Sequence, residues 1–327
     1  MNSETQPLLS RAADSVYWMA RYIERTENIA RFIGVNLHLQ LDLPTEPAHQ
    51  WQPIIDTAGD TEDFRQRYGE ATQTSVIQFL ALDTANANSI YSCLWAAREN
   101  ARAVRETISS EMWEQINRMY LEIQSQRSRF DPEWVTETLR TIRLSCHMFQ
   151  GITDATMSHN EAWRFLRLGR DLERADKTSR ILDVKYFYLL PSMSVGTPYD
   201  DIHWSAVLKS VSAFEMYRQK HGRILPLHIV EFLVFDREFP RSIHYCVRSA
   251  EESLHAITGT PLGSDRYLSK RLMGPLSAEL GFTPVDKVIQ YGVHEYLDGL
   301  QLKMNAIDDG LLNDFFTWRT LAQPVPV

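Results

Sequence analysis

Arginine and glutamate recur with the same spacing in two distant segments of the chain. Residues 21–31 read RYIERTENIAR and residues 170–180 read RDLERADKTSR, at an offset of 149. Both fit Arg-x-x-Glu-Arg, a small residue, an acidic residue, three variable residues and a further arginine. Glutamate can transfer protons, and arginine donates paired hydrogen bonds to carboxylate or phosphate groups. The two segments therefore carry the residue types of an acid–base site or an anion-binding site.

Helical periodicity places these charges on one stripe of each predicted helix, and the rest of the first helix is largely apolar. The first stripe consists of Asp14, Tyr17, Arg21, Glu24, Asn28 and Arg31, with Arg25 at its edge. The second consists of Trp163, Leu166, Arg170, Glu173, Lys177 and Arg180, with Arg174 at its edge. A helix that is apolar over most of its girth is usually buried. We therefore expect the stripes to be buried or to line a cleft.

Two interpretations of the stripes are open. In one, a cleft holds an anionic ligand, because cations outnumber the glutamate on the second stripe, and Glu24 and Glu173 are the candidate catalytic acids or bases. In the other, arginine and glutamate pair with each other and lock the helices in register, because a buried charge without a partner is costly. Neighbouring arginines lower the pKa of a carboxylate, which weakens it as a base.

A second pair of similar segments supports an internal duplication. Residues 89–99 read SIYSCLWAARE and residues 242–252 read SIHYCVRSAEE, at an offset of 153 and in the same order as the first pair. We predict a leader at 1–9 that is disordered, a first repeat at 10–157 and a second repeat at 158–327. The two repeats are expected to be helical bundles related by a pseudo-twofold axis and packed as one unit.

The first of these segments adds charged residues to the candidate site. Arginine and glutamate follow each other there at a spacing of three or four residues, which gives one charged helix face. The face could line the cleft or be solvated. The complete set of candidate ligand-binding residues is Tyr17, Arg21, Arg25, Arg31, Glu99, Arg102, Arg170, Arg174 and Arg180.

The elements that position these residues are predicted to be helices throughout, which gives an all-α fold. Residues 70–131 contain neither glycine nor proline and are rich in helix-forming residues. The predicted helices are approximately 10–41, 50–57, 73–82, 86–108, 110–128, 132–157, 159–190, 201–220, 225–234, 239–258, 264–280 and 284–316. The predicted loops are 42–49, 191–200 and 259–263, where proline, glycine, threonine and serine cluster.

Composition disfavours several classes of protein. The net charge is −8, which argues against a general nucleic-acid binder. The sequence has no apolar run of 18 residues and no secretory signal, so we expect a cytoplasmic protein without a membrane span. Its three cysteines are scattered, and Glu252-x-x-His255 lacks the second such pair that a di-iron site needs. We therefore predict neither a metal nor a cofactor.

Three segments resemble the alpha-E family, a bacterial all-helical domain named for its ER motif. They are residues 8–33 (LLSRAADSVYWMARYIERTENIARFI), 93–108 (CLWAARENARAVRETI) and 161–182 (EAWRFLRLGRDLERADKTSRIL). The residues that carry the resemblance are Arg21, Glu24, Arg25, Arg31, Glu99, Asn100, Arg102, Trp163, Phe165, Gly169, Arg170, Glu173, Arg174 and Asp176. Thr26 stands where the family usually has alanine.

The resemblance implies an association with particular proteins but no assigned reaction. Members of the family tend to be encoded or fused beside a circularly permuted ATP-grasp protein and a transglutaminase-like protein. The first hypothesis is therefore an accessory component of a system that makes or modifies peptide or amide bonds, which binds an anionic small molecule, a peptide or a partner protein through the stripes. The alternatives are an enzyme of that system and a purely structural assembly module. The oligomeric state is left open, a homo-oligomer included.

Overall fold

The chain is helical throughout the residues that the computed structural model describes, which are 8–42, 47–126, 132–189, 198–261 and 266–316. The helices are α1 (Ser10–Asp42), α2 (Pro47–Ala58), α3 (Thr61–Tyr68), α4 (Gln73–Ile77), α5 (Ile90–Ala103), α6 (Ser110–Gln126), α7 (Pro132–Thr156), α8 (Glu161–Leu189), α9 (Pro198–Ser210), α10 (Phe214–His221), α11 (Pro226–Phe235), α12 (Ile243–Thr258), α13 (Leu268–Phe282), α14 (Val285–Tyr291) and α15 (Val293–Leu311). A π-helical turn extends α4 over Gln78–Leu82 and α15 over Leu312–Phe316. The all-α prediction is confirmed.

Three helices differ from the prediction for local reasons. The predicted helix 201–220 is divided into α9 and α10, because the chain turns at Ser212, which has a φ of +52°. The predicted helix 284–316 is divided at Gly292, where φ is +112°. Helix α3 was not predicted, because Phe64 is the one buried residue in its short polar sequence and leaves no apolar period to read.

The predicted loops are only partly described. Residues 43–46, 190–197 and 262–265 lie outside the described residues, as do residues 1–7 of the predicted leader and residues 317–327. Helix α2 and helix α9 both begin about three residues earlier than predicted, each with a proline as its first residue. Proline is well tolerated there because the first helical residues have no intrahelical acceptor for their N–H groups.

The long helices α1 and α8 lie at the centre of the fold and pack against each other. Helix α1 also contacts α5, α7 and α9, and helix α8 also contacts α12, α15 and α2. Contacts on several sides bury nearly the whole girth of both helices, as the apolar residues Val16, Ile23, Leu168 and Leu172 show. The predicted burial of the charged stripes follows from this central position.

A single hydrophobic cluster runs through both predicted repeats. It includes Trp51 and Phe79 from the first and Phe232 and Leu297 from the second, all with at most 3% of their surface exposed. Burial of apolar surface is the main favourable term in folding, so the two parts of the sequence stabilise one another.

Local hydrogen bonds recur at the offset seen in the sequence. The Ser89 hydroxyl caps helix α5 and donates to the Asp83 carbonyl, six residues earlier. The Ser242 hydroxyl caps helix α12 and donates to the Asp236 carbonyl in the same way. Each pair of equivalent residues is 153 positions apart.

Aromatic packing recurs at the same offset. Phe64 meets Phe79 edge to face at 5.2 Å between ring centroids, and Tyr217 meets Phe232 edge to face at 5.7 Å. Helices α3 and α10 both end at a glycine with positive φ, +73° and +71°. Two parts of the chain thus build the same local arrangement in the same order, while their common origin and the pseudo-twofold axis stay predictions.

Candidate functional site

Glu173 is the centre of the first cluster of charges between α1 and α8. Arg25 donates two hydrogen bonds to its carboxylate in a bidentate arrangement, from Nε to Oε1 at 2.7 Å and from Nη2 to Oε2 at 3.0 Å. Arg21 donates from Nε to Oε2 at 2.8 Å. The Glu173 side chain is fully buried. Such charge-assisted, bidentate bonds are among the strongest available to a buried carboxylate.

Glu24 is the centre of the second cluster and is equally buried. Arg174 donates from Nε to Oε1 at 2.9 Å and from Nη2 to Oε2 at 2.8 Å. Arg241 donates from Nη1 to Oε1 at 3.0 Å, and the Gln150 side-chain amide donates to Oε2 at 3.0 Å. The carboxylate therefore accepts four hydrogen bonds of 3.0 Å or less, from side chains of α7 and α8 and from Arg241 in the turn before α12.

The two ER motifs exchange partners across the α1–α8 interface. Glu24 of the first motif binds Arg174 of the second, and Glu173 of the second binds Arg25 of the first. Periodicity alone had placed the arginine and the glutamate of each motif on the same face of one helix. The tertiary structure turns them into links between the two helices, which fixes how far each can slide along the other.

Asp308 extends the Glu173 cluster and was not predicted as part of the site. Arg21 Nη1 makes an ion pair with its carboxylate, and the Tyr17 hydroxyl donates to the same group at 2.5 Å. Asp308 lies in α15, 291 residues after Tyr17, and no spacing in the sequence connects them. Arg241 was missed for the same reason, because it lies just before α12 and 217 residues after Glu24.

A chain of charges continues from Glu24 to the surface. Arg241 donates from Nη2 to Glu27 Oε2 at 2.8 Å, and Arg31 makes an ion pair with Glu27 one helical turn away. His147 Nε2 lies 3.5 Å from Glu27 Oε1, and its side chain is almost half exposed. Partial burial and the charges of Arg31 and Arg241 lower the pKa of His147 to about 4, so its ring is neutral at pH 7.

The remaining candidates of the second stripe are paired with acids on their own helix. Arg170 donates from Nε to Asp171 at 2.9 Å. Arg180 donates from Nε to both carboxylate oxygens of Asp176, at 3.0 and 2.9 Å. These arginines were predicted to face a ligand, and the structure gives each of them a carboxylate partner.

Glu99 and Arg102 lie on the surface of α5. Arg98 and Arg102 approach the Glu99 carboxylate at 3.1 and 3.5 Å, and the Arg102 side chain is 70% exposed. The described contacts therefore support the solvated face that the sequence left open.

Both central carboxylates are held in their charged form. Burial alone would raise the pKa of Glu24, but the charges of Arg174 and Arg241 outweigh it and hold that pKa well below its usual range. Arg25 and Arg21 do the same to the pKa of Glu173, against the same effect of burial. A carboxylate with such a low pKa is a weak base and carries no proton to donate at pH 7. The geometry thus favours a fixed ion-pair network over acid–base catalysis.

These lowered pKa values predict a loss of stability in acid. The unfolded chain takes up protons on Glu24 and Glu173 below about pH 4.5, where the folded chain does not, so the free energy of unfolding falls with pH in that range. Urea unfolding at pH 7, 5, 4 and 3 measures this slope. In Glu173→Gln we expect the slope of the free energy of unfolding against pH to be smaller by about 1.4 kcal/mol per pH unit below pH 4, because one group that takes up a proton on unfolding has been removed. An unchanged slope in this variant would contradict the assignment.

The described residues offer little for metal or thiol chemistry. Over these residues no group of three histidine, cysteine or acidic side chains is arranged to hold a metal ion. Cys93 is fully buried, and burial raises the pKa of its thiol to about 12. Burial likewise raises the pKa of the Cys246 thiol. In the part of the chain described here, no helix is both long and apolar enough to cross a bilayer.

The two ER motifs, whose ion pairs form what we call the ER network, also relate the chain to known sequences. A family model named Alpha-E, described as a predicted alpha-helical domain with a conserved ER motif, matches residues 8–316. The chain belongs to the Alpha-E family. The resemblance seen in the ER segments is thereby confirmed over nearly the whole sequence.

Curated relatives of this Alpha-E chain are longer proteins. The chain is 21% identical over 275 residues to uncharacterized proteins of Mycobacterium bovis and of two strains of Mycobacterium tuberculosis. The match covers 78% of this chain and 30% of each relative, so the chain spans about a third of their length. No solved structure gives a significant match.

Proposed function

We propose that the protein is a non-catalytic, partner-binding component of a system that forms or modifies peptide or amide bonds. Its proposed partner is a circularly permuted ATP-grasp protein, with a transglutaminase-like protein as a second candidate. Members of the family tend to be encoded or fused beside proteins of these two kinds. Since an ATP-grasp protein consumes ATP, the proposal implies a cytoplasmic location.

The closure of the ER network is the observation that carries the non-catalytic part of the proposal. All four arginines of the two Arg-x-x-Glu-Arg cores have a carboxylate partner within the chain. A buried donor that is already satisfied gains little from a ligand, because binding must first break the existing bond. The stripes therefore fix the register of α1 relative to α8, and we assign the binding of a partner to other surfaces of the protein.

The lengths of the relatives support the partner-binding part. In the mycobacterial proteins a segment similar to this chain is joined covalently to about twice its own length of further sequence. Two domains joined in one protein commonly correspond to partners when they occur on separate chains. The additional sequence of these longer relatives therefore indicates the class of protein that this chain binds.

We also infer that the two halves arose by tandem duplication and are related by a pseudo-twofold axis. The recurring caps, aromatic pairs and positive-φ glycines at an offset of 153 support this, as does the reciprocal exchange between the ER motifs. A duplicated scaffold presents two related faces, which suits a component that bridges other proteins.

Sedimentation velocity of mixtures tests the proposal. We expect the purified chain to form a complex of defined stoichiometry with the circularly permuted ATP-grasp protein of the same genome. An ATP-grasp ligase of the ordinary sequence order serves as the matched control and should sediment independently. Equal behaviour with both ligases would contradict the proposal.

Turnover measurements separate the proposal from its enzymatic alternative. The chain alone should show no peptide- or amide-bond chemistry with ATP and amino acids. Turnover that disappears in Glu24→Gln but persists in the exposed-site control Glu62→Gln would instead assign the chemistry to the ER network.

A further inference from the structure

A cavity of about 490 Å³ lies between the C-terminal part of α1 and helix α9. Val35, Leu39, Ile202 and Ala206 form its apolar wall. These four residues constitute a small apolar cluster of their own, separate from the main hydrophobic core. A concave apolar surface of this volume is in the range of natural small-molecule sites.

A narrow recess adjoins the cavity among α1, α2, α8 and α9, and its mainly apolar lining includes four polar side chains. The two spaces share the walls formed by Val35, Leu39 and Ala206, and the recess is further lined by Asn36 and Lys185. The recess is far smaller than the outer cavity and would accept only the end of a molecule. An elongated ligand can therefore place its body in the cavity and one terminal group in the recess.

The recess offers hydrogen-bond donors that have no acceptor. Asn36 is only 3% exposed, and its side-chain Nδ2 has no hydrogen-bond partner among the described residues. Lys185 has no carboxylate within ion-pair distance in the same part of the chain. The two hydroxyls of the recess, on Thr57 and Ser210, donate instead to backbone carbonyls of their own helices. The chain thus supplies an amide donor and an ammonium group, and an acceptor must come from elsewhere.

We propose that this cavity binds a carboxylic acid with an apolar body, whose carboxylate lies in the recess on Lys185 Nζ and Asn36 Nδ2. A carboxylate accepts from both donors and neutralises the ammonium group, and the apolar wall covers the body of the ligand. Burial lowers the pKa of Lys185 to about 8, which agrees with an amine that lacks a counter-charge. The outer cavity carries a cation of its own, Lys209, opposed by the carboxylate of Asp201, so the Lys209 variant below tests the opposite orientation of the ligand.

The site is independent of the ER network and of the proposed partner role. Its ligand chemistry is shared by two sources, the C-terminal residue of an apolar peptide and a free fatty acid. Binding is measured on the protein alone, so a failure here leaves the ATP-grasp proposal untouched, and the converse also holds.

Isothermal titration calorimetry at pH 7 with four probes tests the inference. The probes are octanoate, octanamide, N-acetyl-Leu-Leu and its C-terminal amide. We expect at least one acid to bind and its amide to bind ten- to a hundredfold more weakly, the usual effect of losing a charged hydrogen bond. The tighter of the two acids identifies the source. No binding of either acid at millimolar concentration, or equal binding of an acid and its amide, would overturn the proposal.

Two lysine variants locate the carboxylate. Lys185→Met keeps the length of the side chain and should weaken the acid at least tenfold while the midpoint of thermal unfolding stays unchanged or rises, because an unpaired amine is removed from a buried place. Lys209 is exposed and lines the outer cavity but not the recess, so Lys209→Met is the matched control and should retain the affinity of the acid within about twofold. Acid binding that survives Lys185→Met overturns the assignment. The acid–amide comparison uses the unaltered chain, so it decides the case even if Lys185→Met does not fold.

Discussion

Replacement of Glu24 by glutamine is expected to lower the free energy of unfolding by about 3–5 kcal/mol, the usual result of removing one partner of a buried ion pair. Glutamine keeps the shape of the side chain, so the effect reports charge rather than a cavity. It leaves Arg174 without its carboxylate and Arg241 with Glu27 alone, in a region that already contains Arg31. Arg241 and Arg31 would then share Glu27, and Arg174 would keep only two neutral acceptors, the Pro240 carbonyl and the Gln150 side-chain oxygen.

Urea unfolding followed by circular dichroism measures this loss. Glu62→Gln is the matched control, because the Glu62 carboxylate lies 3.6 Å from Arg65 Nη1 and both side chains are about 70% exposed. An exposed pair of this kind contributes at most about 1 kcal/mol. If Glu24→Gln were as stable as the control, the network would not hold the central helices together, and the register role would have to be abandoned.

The second large effect is expected at Gly169, where α8 crosses α1. A Cβ at this position would lie 2.5 Å from the Tyr17 carbonyl oxygen and 3.2 Å from the Tyr17 carbonyl carbon. These are backbone atoms of another helix, so the two helices must separate to accept a methyl group. Gly169→Ala is therefore expected to destabilise the protein by about 1–3 kcal/mol, the usual cost of overpacking.

The direction of the change in the free energy of unfolding is the test, because replacing glycine by alanine normally stabilises a helix and here is expected to destabilise the protein. Gly151 lies in α7, is exposed, and has no atom within 4 Å of the position of an added Cβ. Gly151→Ala should raise the free energy of unfolding by about 0.5–1 kcal/mol. Calorimetric melting of both variants compares them directly. A stabilising Gly169→Ala would mean that α1 and α8 do not approach as closely as described.

The two predictions explain one another through the geometry of the crossing. Close approach of α1 and α8 at Gly169 brings the ER motifs within reach of the opposite helix. Short bidentate pairs such as Arg25 to Glu173 tolerate little change in the distance between the helix axes. We therefore expect the stability effects of Gly169→Ala and Glu173→Gln to be non-additive, as for residues that share one network.

Much of the architecture could be predicted from local pattern. The absence of glycine and proline over residues 70–131 and the 3.6-residue apolar period were sufficient for the all-helical fold. The apolar girth of the first ER helix correctly indicated that its charges are buried. The short polar helix α3 was missed, because Phe64 is its one buried residue and packs on Phe79, which lies outside the helix.

The pairing of the charges could not be predicted in the same way. Spacing along a helix determines which side chains share a face, so Arg21, Glu24 and Arg31 were recognised as one stripe. It cannot determine which groups lie opposite that face, because this depends on how distant segments pack. Asp308 and Arg241 therefore entered the network only through the positions of α15 and of the turn before α12.

The sequence by itself determined that this protein is helical, that two ER segments repeat, and that their charges require partners in a buried place. These are properties of periodicity and desolvation, and both can be read locally. Only the tertiary structure decided that Glu24 and Glu173 exchange arginines across α1 and α8, which makes the motif a link between helices. The energy of a buried ion pair depends on distance and on the surrounding dielectric, and folding alone sets both.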